Sequence, residues 1–265
     1  MPIESFIQLE NRTAPGVLII NADDWGQDHE TTIRTLECIQ CGSVSSVSAM
    51  VFMEYSEPAA AVAREREIDA GLHLNFTASF SAHNFPAQLL EHQNRLISYL
   101  RRPLAWTIFH PGLMRSFEYV VAVQIEEFHR LYGRLPERLD GHHHMHLCAN
   151  VLFGGLLWPG TIVRRNFSFR AGEKSLGNRL VRRLIDHVLA RRHRLVDFFF
   201  SLAPLEPPER LQRFVSLARN FTVEIETHPI NADEYRFLTG GEIFRLLGDL
   251  QIAVRFADCS SGSSE

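Results

Sequence analysis

The feature that most narrows the fold is an alternation. Short apolar runs that break off in polar residues are separated by segments of helical spacing, and the pattern recurs seven or eight times in the 265 residues. "GVLIINADD" (16–24) is the first run; its unbroken aliphatic stretch suits a strand buried on both faces of a parallel sheet. "HETTIRTLECIQCG" (29–42) follows with helical periodicity and a closing glycine. The pair repeats with a strand at 43–52 and a helix at 57–68, then a strand at 69–77, "DAGLHLNFT". An irregular stretch to about Trp106 precedes a strong helix at 114–133 and a strand, "ERLDGHH", at 137–143. Further strands are expected at 160–166, 195–202, 220–229 and 251–258, with helices at 179–194, 207–218 and 240–250.

No internal repeat, linker or composition break divides the chain. The count of strand–helix units favours an α/β fold built as a single irregular (β/α) barrel with about seven or eight mainly parallel strands. An open doubly wound sheet that binds a dinucleotide is disfavoured, because no G-x-G-x-x-G follows the first strand. One domain over 1–265 is expected, with a core at about 16–258 and loose ends at 1–15 and 259–265. The stretch from Ala78 to Trp106 reads as a long loop over a site.

Composition removes several functions. Hydrophobic residues make up 45% and charged residues 22%, with a net charge of −4, so neither a disordered chain nor a nucleic-acid partner is indicated. The local basic stretch 179–194, "RLVRRLIDHVLARRHR", is read as a solvated helix face, with an acidic ligand or a membrane surface as the minor alternative. No signal peptide is visible and no apolar run can span a bilayer, which points to the cytoplasm. Cys38 and Cys41 form a CxxC on an expected helix, without a second pair; with Cys148 and Cys259 they are expected to be free thiols.

In a parallel barrel the reactive residues collect at the C-terminal strand ends. Here those ends carry Asp23 and Asp24 ("NADDWG"), His73 ("GLHLN"), Asp140, His142, His144 and His146 ("LDGHHHMH"), and Glu226 and His228 ("EIETHP"). Each group alone has an ordinary structural explanation, such as a turn, a helix cap or a hydrogen-bonded core histidine. Four strand ends that converge on one face make a metal centre the economical reading. Two imidazoles and a carboxylate suit Zn, Mn, Fe, Co or Ni; Mg, which favours oxygen ligands, fits less comfortably. Of two adjacent aspartates, one can bind metal while the other takes a proton from water. Strand alternation would place His142, His144 and His146 on one side. Gln124, on the preceding helix, is a candidate polar support, and Arg164, Arg165 and Arg170 are candidate contacts for an anionic substrate group.

Taken in order, "NADDWG", "GLHLN", "DGHHHMH" and "ETHP" resemble the YdjC-like carbohydrate deacetylase family, over about Val17 to Pro229. That resemblance implies an irregular (β/α) barrel with one divalent metal; zinc follows from the ligand types, with Mg, Mn, Co or Ni as alternatives. By motif position it implies Asp24, His73 and His142 as ligands, Asp23 as general base and His228 as the acid that protonates the leaving amine. His144, His146 and Glu226 would support the ligands or face substrate, and Asp140 would orient a ligand imidazole. Trp25 stands where the family often has Phe and would shape a sugar-stacking floor; Gly141 stands where it often has Ser. The implied reaction is removal of an N-linked acetyl group from an N-acetylated sugar, giving acetate and a free amine. Hydrolysis of a phosphoester or glycoside, or sugar binding without turnover, are the rivals, and homo-oligomerisation is open.

Overall fold

The computed structural model describes residues 16–253, 255 and 256. In chain order its elements are β1 (Val17–Trp25), α1 (His29–Gln40), β2 (Ser46–Ala49), α2 (Ser56–Glu65), β3 (Asp69–Leu74), α3 (Ala87–Leu100), α4 (Met114–Tyr132), β4 (Arg138–Gly141), α5 (Ala149–Gly154), β5 (Ile162–Val163), α6 (Leu176–Ala190), β6 (Phe198–Ser201), α7 (Pro208–Ala218), β7 (Thr222–Thr227), α8 (Ala232–Thr239) and α9 (Glu242–Leu247). The seven strands form one sheet in the order β5-β4-β3-β2-β1-β7-β6, and all its pairings are parallel. The sheet curls so that its edges meet. Ile162 of β5 bridges Arg194, and the Ser168 N–H donates to the Phe199 carbonyl of β6 at 2.9 Å. The result is an irregular α/β barrel with seven strands among the described residues.

Side-chain alternation along the strands builds two different interiors. On the outside of the curl, residues such as Leu18, Ile20, Ala22, Leu72, Leu139 and Ile225 pack against the helices in the main core. On the concave side Ile19, Ile162, Phe199 and Phe256 form a small apolar plug. Beyond the plug the same strands carry buried polar residues at a spacing of two: Asn21 and Asp23, Ser46 and Ser48, Arg138 and Asp140, Glu224 and Glu226. Buried charge of this kind is tolerated only when paired, and it surrounds the C-terminal strand ends.

Three expectations are corrected. The stretch 78–106 is not one long loop; it contains α3, which buries Leu89, Gln93, Leu96, Ile97 and Leu100. Pro86 precedes it and no side chain caps it, so the usual start signal is missing. The segment after β7 holds a short helix, α8, which the sequence reading passed over, and α9 is shorter than 240–250. In place of a strand at 251–258, the described residues show a single bridge, Leu18 to Ile252. Residues 1–15, 254 and 257–265, which include both ends expected to be loose and Cys259, lie outside the described residues. Cys38, Cys41 and Cys148 are free, as expected.

Candidate metal centre

Asp23 and Asp24 are neighbours in β1, and in a regular strand their side chains would point to opposite faces. The β1–β2 register shifts between Ala22 and Trp25, and Asp24 has φ 63°, in the left-handed region. This bulge turns both carboxylates toward β3. His73 Nε2 lies 3.4 Å from Asp24 Oδ1 and 4.0 Å from Asp23 Oδ2. The other nitrogen of that ring, Nδ1–H, donates to Asp140 Oδ1 at 2.8 Å, which fixes the ring's orientation and aims Nε2 at the aspartates. At the end of β3 the Asn75 N–H donates to Gln124 Oε1 at 2.8 Å, so the buried glutamine of α4 holds this strand end in place.

The histidine run does not continue β4. That strand stops at Gly141, and His142–Leu147 form a 3-10 turn in which His143 and His144 have φ 53° and 58°. Strand alternation therefore does not apply to it, and the four imidazoles go to four places. His142 Nδ1 lies 2.9 Å from Asp24 Oδ1, and His143 Nδ1 lies 3.0 Å from Thr77 Oγ1. His144 Nε2 is 3.6 Å from Glu226 Oε2, and the His146 Nε2–H donates to the Arg164 carbonyl at 2.9 Å. A Cβ on Gly141 would lie 2.9 Å from the His146 nitrogen, so the turn closes directly over this glycine.

One ligand atom each from Asp24, His73 and His142 lies within 4.8 Å of the others, and this cluster can coordinate a divalent metal. Two nitrogens and one oxygen are a borderline-soft donor set, and spacings of 2.9 and 3.4 Å match the roughly 3 Å expected between neighbouring ligands on one first-row ion. Asp23, His73 and Asp140 are also close enough to form a cluster. Arg164 already occupies both of those carboxylates, which leaves no room there for a second cation.

Arg164 organises the charge. Its guanidinium makes a bidentate pair with Asp23, both distances 2.7 Å, and reaches Asp140 at 3.0 Å, Glu224 at 2.8 Å and Glu226 at 3.4 Å. The side chain is 1% exposed and lies over the Phe199 ring. It is not the contact for an anionic substrate group expected from the sequence, because every donor is spent on buried carboxylates. Burial pushes the Asp23 carboxyl up, but the Arg164 charge and the positive His73 outweigh it and hold it below the usual range. For Asp24, burial is overridden by hydrogen bonds from His142 and His73, and its carboxyl also falls well below. Burial lowers the His73 imidazole, but Asp140 and Asp23 carry it up to about 10. Glu226 behaves oppositely: burial and the Asp23 charge raise it well above an ordinary carboxyl, despite Arg164.

The remaining expected residues are placed as follows. His228 is half-buried at the end of β7, its backbone N–H donating to Glu234 at 3.0 Å. Glu226 faces Arg164 and His144. His146 is fully buried and so cannot face substrate. Trp25 is fully buried in the main core, so its ring forms no sugar-stacking floor. Arg165 pairs with Asp186, and Arg170 is exposed. Asn21, Ser48, Arg138 and Glu224 also belong to the site, though no motif in the sequence marks them. Asn21 Nδ2–H donates to Asp23 Oδ1 and to Ser48 Oγ, each at 2.8 Å, and Ser48 and Arg138 both contact Asp140. The available signal was polarity at every second position of otherwise apolar strands.

The family model for YdjC-like protein matches residues 17–238, which is most of the chain. This chain belongs to the YdjC-like family. Among similar proteins of that kind, a chitooligosaccharide deacetylase of Serratia marcescens is 33% identical over 141 residues, covering 51% of this chain and 52% of that one. A carbohydrate deacetylase of Mus musculus is 30% identical over 51% of this chain and 44% of its own length. A carbohydrate deacetylase of Clostridium beijerinckii is 24% identical over 80% of each. Apart from such longer matches, the chain spans about half the length of the curated relatives it matches. A crystal structure from Enterococcus faecalis V583, whose description suggests cellobiose-phosphate cleavage, superposes with a TM-score of 0.62 at 19% identity. It covers 91% of this YdjC-like chain and 97% of its own, which supports the fold alone.

Proposed function

We propose that this YdjC-like chain works as one domain and is a metal-dependent hydrolase that removes the acetyl group from the nitrogen of an N-acetylated sugar. The observation that carries the reading is the pair of adjacent aspartates turned by one bulge toward His73, one beside the two imidazoles and the other held by Arg164. Asp24, His73 and His142 would hold the divalent ion, with zinc favoured by the ligand types. When bound, such an ion acidifies water and polarises a carbonyl oxygen.

The chain's own residues divide the rest of the work. Arg164 keeps Asp23 ionised in a buried place, so that Asp23 can accept the proton of the attacking water. The same pairing makes Asp23 a weak base, which is why it needs an acidified water. Asp140 holds His73 in the tautomer that presents Nε2. His228 would give a proton to the nitrogen as the C–N bond breaks, so that water and amide become acetate and amine. The relatives named as deacetylases support the bond type, and the substrate would be a small carbohydrate handled in the cytoplasm.

Acetate release decides the matter. Metal-stripped protein reconstituted with Zn, Mn, Co or Mg is expected to release acetate from members of a panel of N-acetylated sugars, and Asp23→Asn is expected to cut the rate by roughly 10²–10⁴-fold. Stoichiometric metal binding with no acetate from any member would overturn the reading and turn attention to phosphoesters, glycosides or binding without turnover.

A further inference from the structure

Helix α6 is anchored by a narrow strip. Only Asp186 and Leu189 are buried; Asp186 is held by Arg165 and by Asn166 at the end of β5. On the opposite face Leu176, Leu180 and Leu184 recur every four residues and are 63%, 53% and 63% exposed, with Val181 beside them at 51%. A face read from sequence as solvated is therefore an uncovered aliphatic ridge. Near its C-terminal end a groove is lined by Leu152, Leu157, Val188 and Arg192.

The charges beside this ridge are of one sign. Residues 170–194 contain eight lysines and arginines and two acids in a chain whose net charge is −4. Both acids are engaged elsewhere, Glu173 by Arg213 and Asp186 by Arg165. The basic groups Arg183, Arg191 and Arg192 are exposed around the ridge, with Lys174 just ahead of the helix. An apolar stripe edged by arginines is the pattern of a helix that lies in the surface of an anionic bilayer, the aliphatic chains entering the acyl boundary and the guanidinium groups meeting phosphates. Two-fold pairing with a second copy fits poorly, because it would set this excess of arginines against itself. Among the described residues no helix is long and apolar enough to cross a membrane, so the contact is peripheral.

We propose that the outer face of α6, with Leu176, Leu180, Val181 and Leu184 flanked by Arg183 and Arg191, is a docking surface for anionic lipid bilayers. The inner side of α6, opposite this ridge, is linked to the histidine turn through a row of rings. Phe169 sits under Arg182 of α6 and Lys174 at 5.2 and 5.4 Å, and Phe167 lies 6.2 Å from Phe169 and 4.7 Å from the His144 ring.

The test is flotation of the full chain with vesicles of phosphatidylcholine alone or mixed with phosphatidylglycerol, at low and high salt, independent of any enzymatic activity. Binding is expected only to the mixed vesicles and is expected to weaken with salt. Arg183→Gln with Arg191→Gln should weaken it by roughly 30-fold, at about 1 kcal/mol per charge. Leu180→Ser with Leu184→Ser should weaken it by roughly tenfold or more; both pairs are exposed, so an unchanged melting curve checks the fold. Equal binding to neutral vesicles, or no binding to either, overturns the proposal. So does a dimer in sedimentation that the leucine variant dissolves, or a ridge protected from hydrogen exchange without lipid, since each shows that protein covers the face.

Discussion

Asp23 and Asp24 are consecutive residues of one strand, yet both carboxylates face the same imidazole, His73, at 4.0 and 3.4 Å. Their surroundings separate them. Asp24 meets only imidazoles, whereas Asp23 is clasped by a guanidinium and the amide of Asn21. A cation drawn to this pair therefore finds one carboxylate open and the other already neutralised, so the two aspartates cannot exchange roles.

That asymmetry gives opposite expectations for two isosteric changes. Asp24→Asn should lower zinc affinity by at least about 10-fold, the scale on which even supporting residues of a metal site act. Asp23→Asn should keep the metal while kcat falls by roughly 10²–10⁴. Titration with metal by calorimetry, alongside acetate release, separates the two. Equal loss of metal in both variants would contradict the assignment.

Removing Arg164 should be felt first in stability. Arg164→Met leaves Asp23 and Asp140 as buried charges without their main partner, a change that typically costs about 3–5 kcal/mol. For a chain of this size each kcal/mol lowers Tm by about 2–4 °C, so a loss of roughly 10 °C in calorimetry is expected. A variant that melts with the wild type would show that the guanidinium is not the counter-charge described here.

Much of this arrangement was legible in the sequence, for a physical reason. Buried parallel strands are continuous apolar runs, and a polar group at the end of such a run must be engaged by something. Asp23, Asp24, His73, His142 and Glu226 stand out on that ground, and so do the places of the first seven strands along the chain. What was hidden depends on distance in space. Nothing local to Arg164 distinguishes it from Arg165, yet one is buried among four carboxylates while the other pairs with Asp186 nearer the surface. Trp25 looked like a substrate floor because aromatic faces stack on sugar rings, but the bulge that turns Asp24 toward His73 sends the indole into the core. Helix α3 was missed because its start carries no capping side chain.

Gly141 tests the histidine turn. A methyl group there would meet the His146 nitrogen at 2.9 Å, a backbone atom that cannot rotate away. Gly141→Ala should shift the turn by a few tenths of an ångström and move His142 away from Asp24. The expected result is a zinc affinity reduced by roughly tenfold or more in protein whose far-ultraviolet circular dichroism is unchanged. Wild-type affinity would mean that the turn accommodates the methyl and does not position His142.

The buried histidines should also make the metal-free fold sensitive to acid. Burial pushes His146 down from its ordinary 6.5 to about 4, although its Nε2–H is held by the Arg164 carbonyl. Between those values the unfolded chain binds a proton that the folded chain refuses. The contribution of His146 is thus full above about pH 6.5 and is lost as pH falls toward 4. A shift of that size corresponds to about 3 kcal/mol. Denaturant unfolding of metal-free protein across this range should show stability falling with acid, and His146→Gln should flatten the slope by about one proton. His144, brought to about 3 mainly by burial and the Arg164 charge, adds in the same direction and extends the loss to lower pH. An unchanged slope in the His146 variant would mean that its imidazole is protonated in the folded chain, which would require a carboxylate partner in place of the carbonyl that now accepts its hydrogen bond.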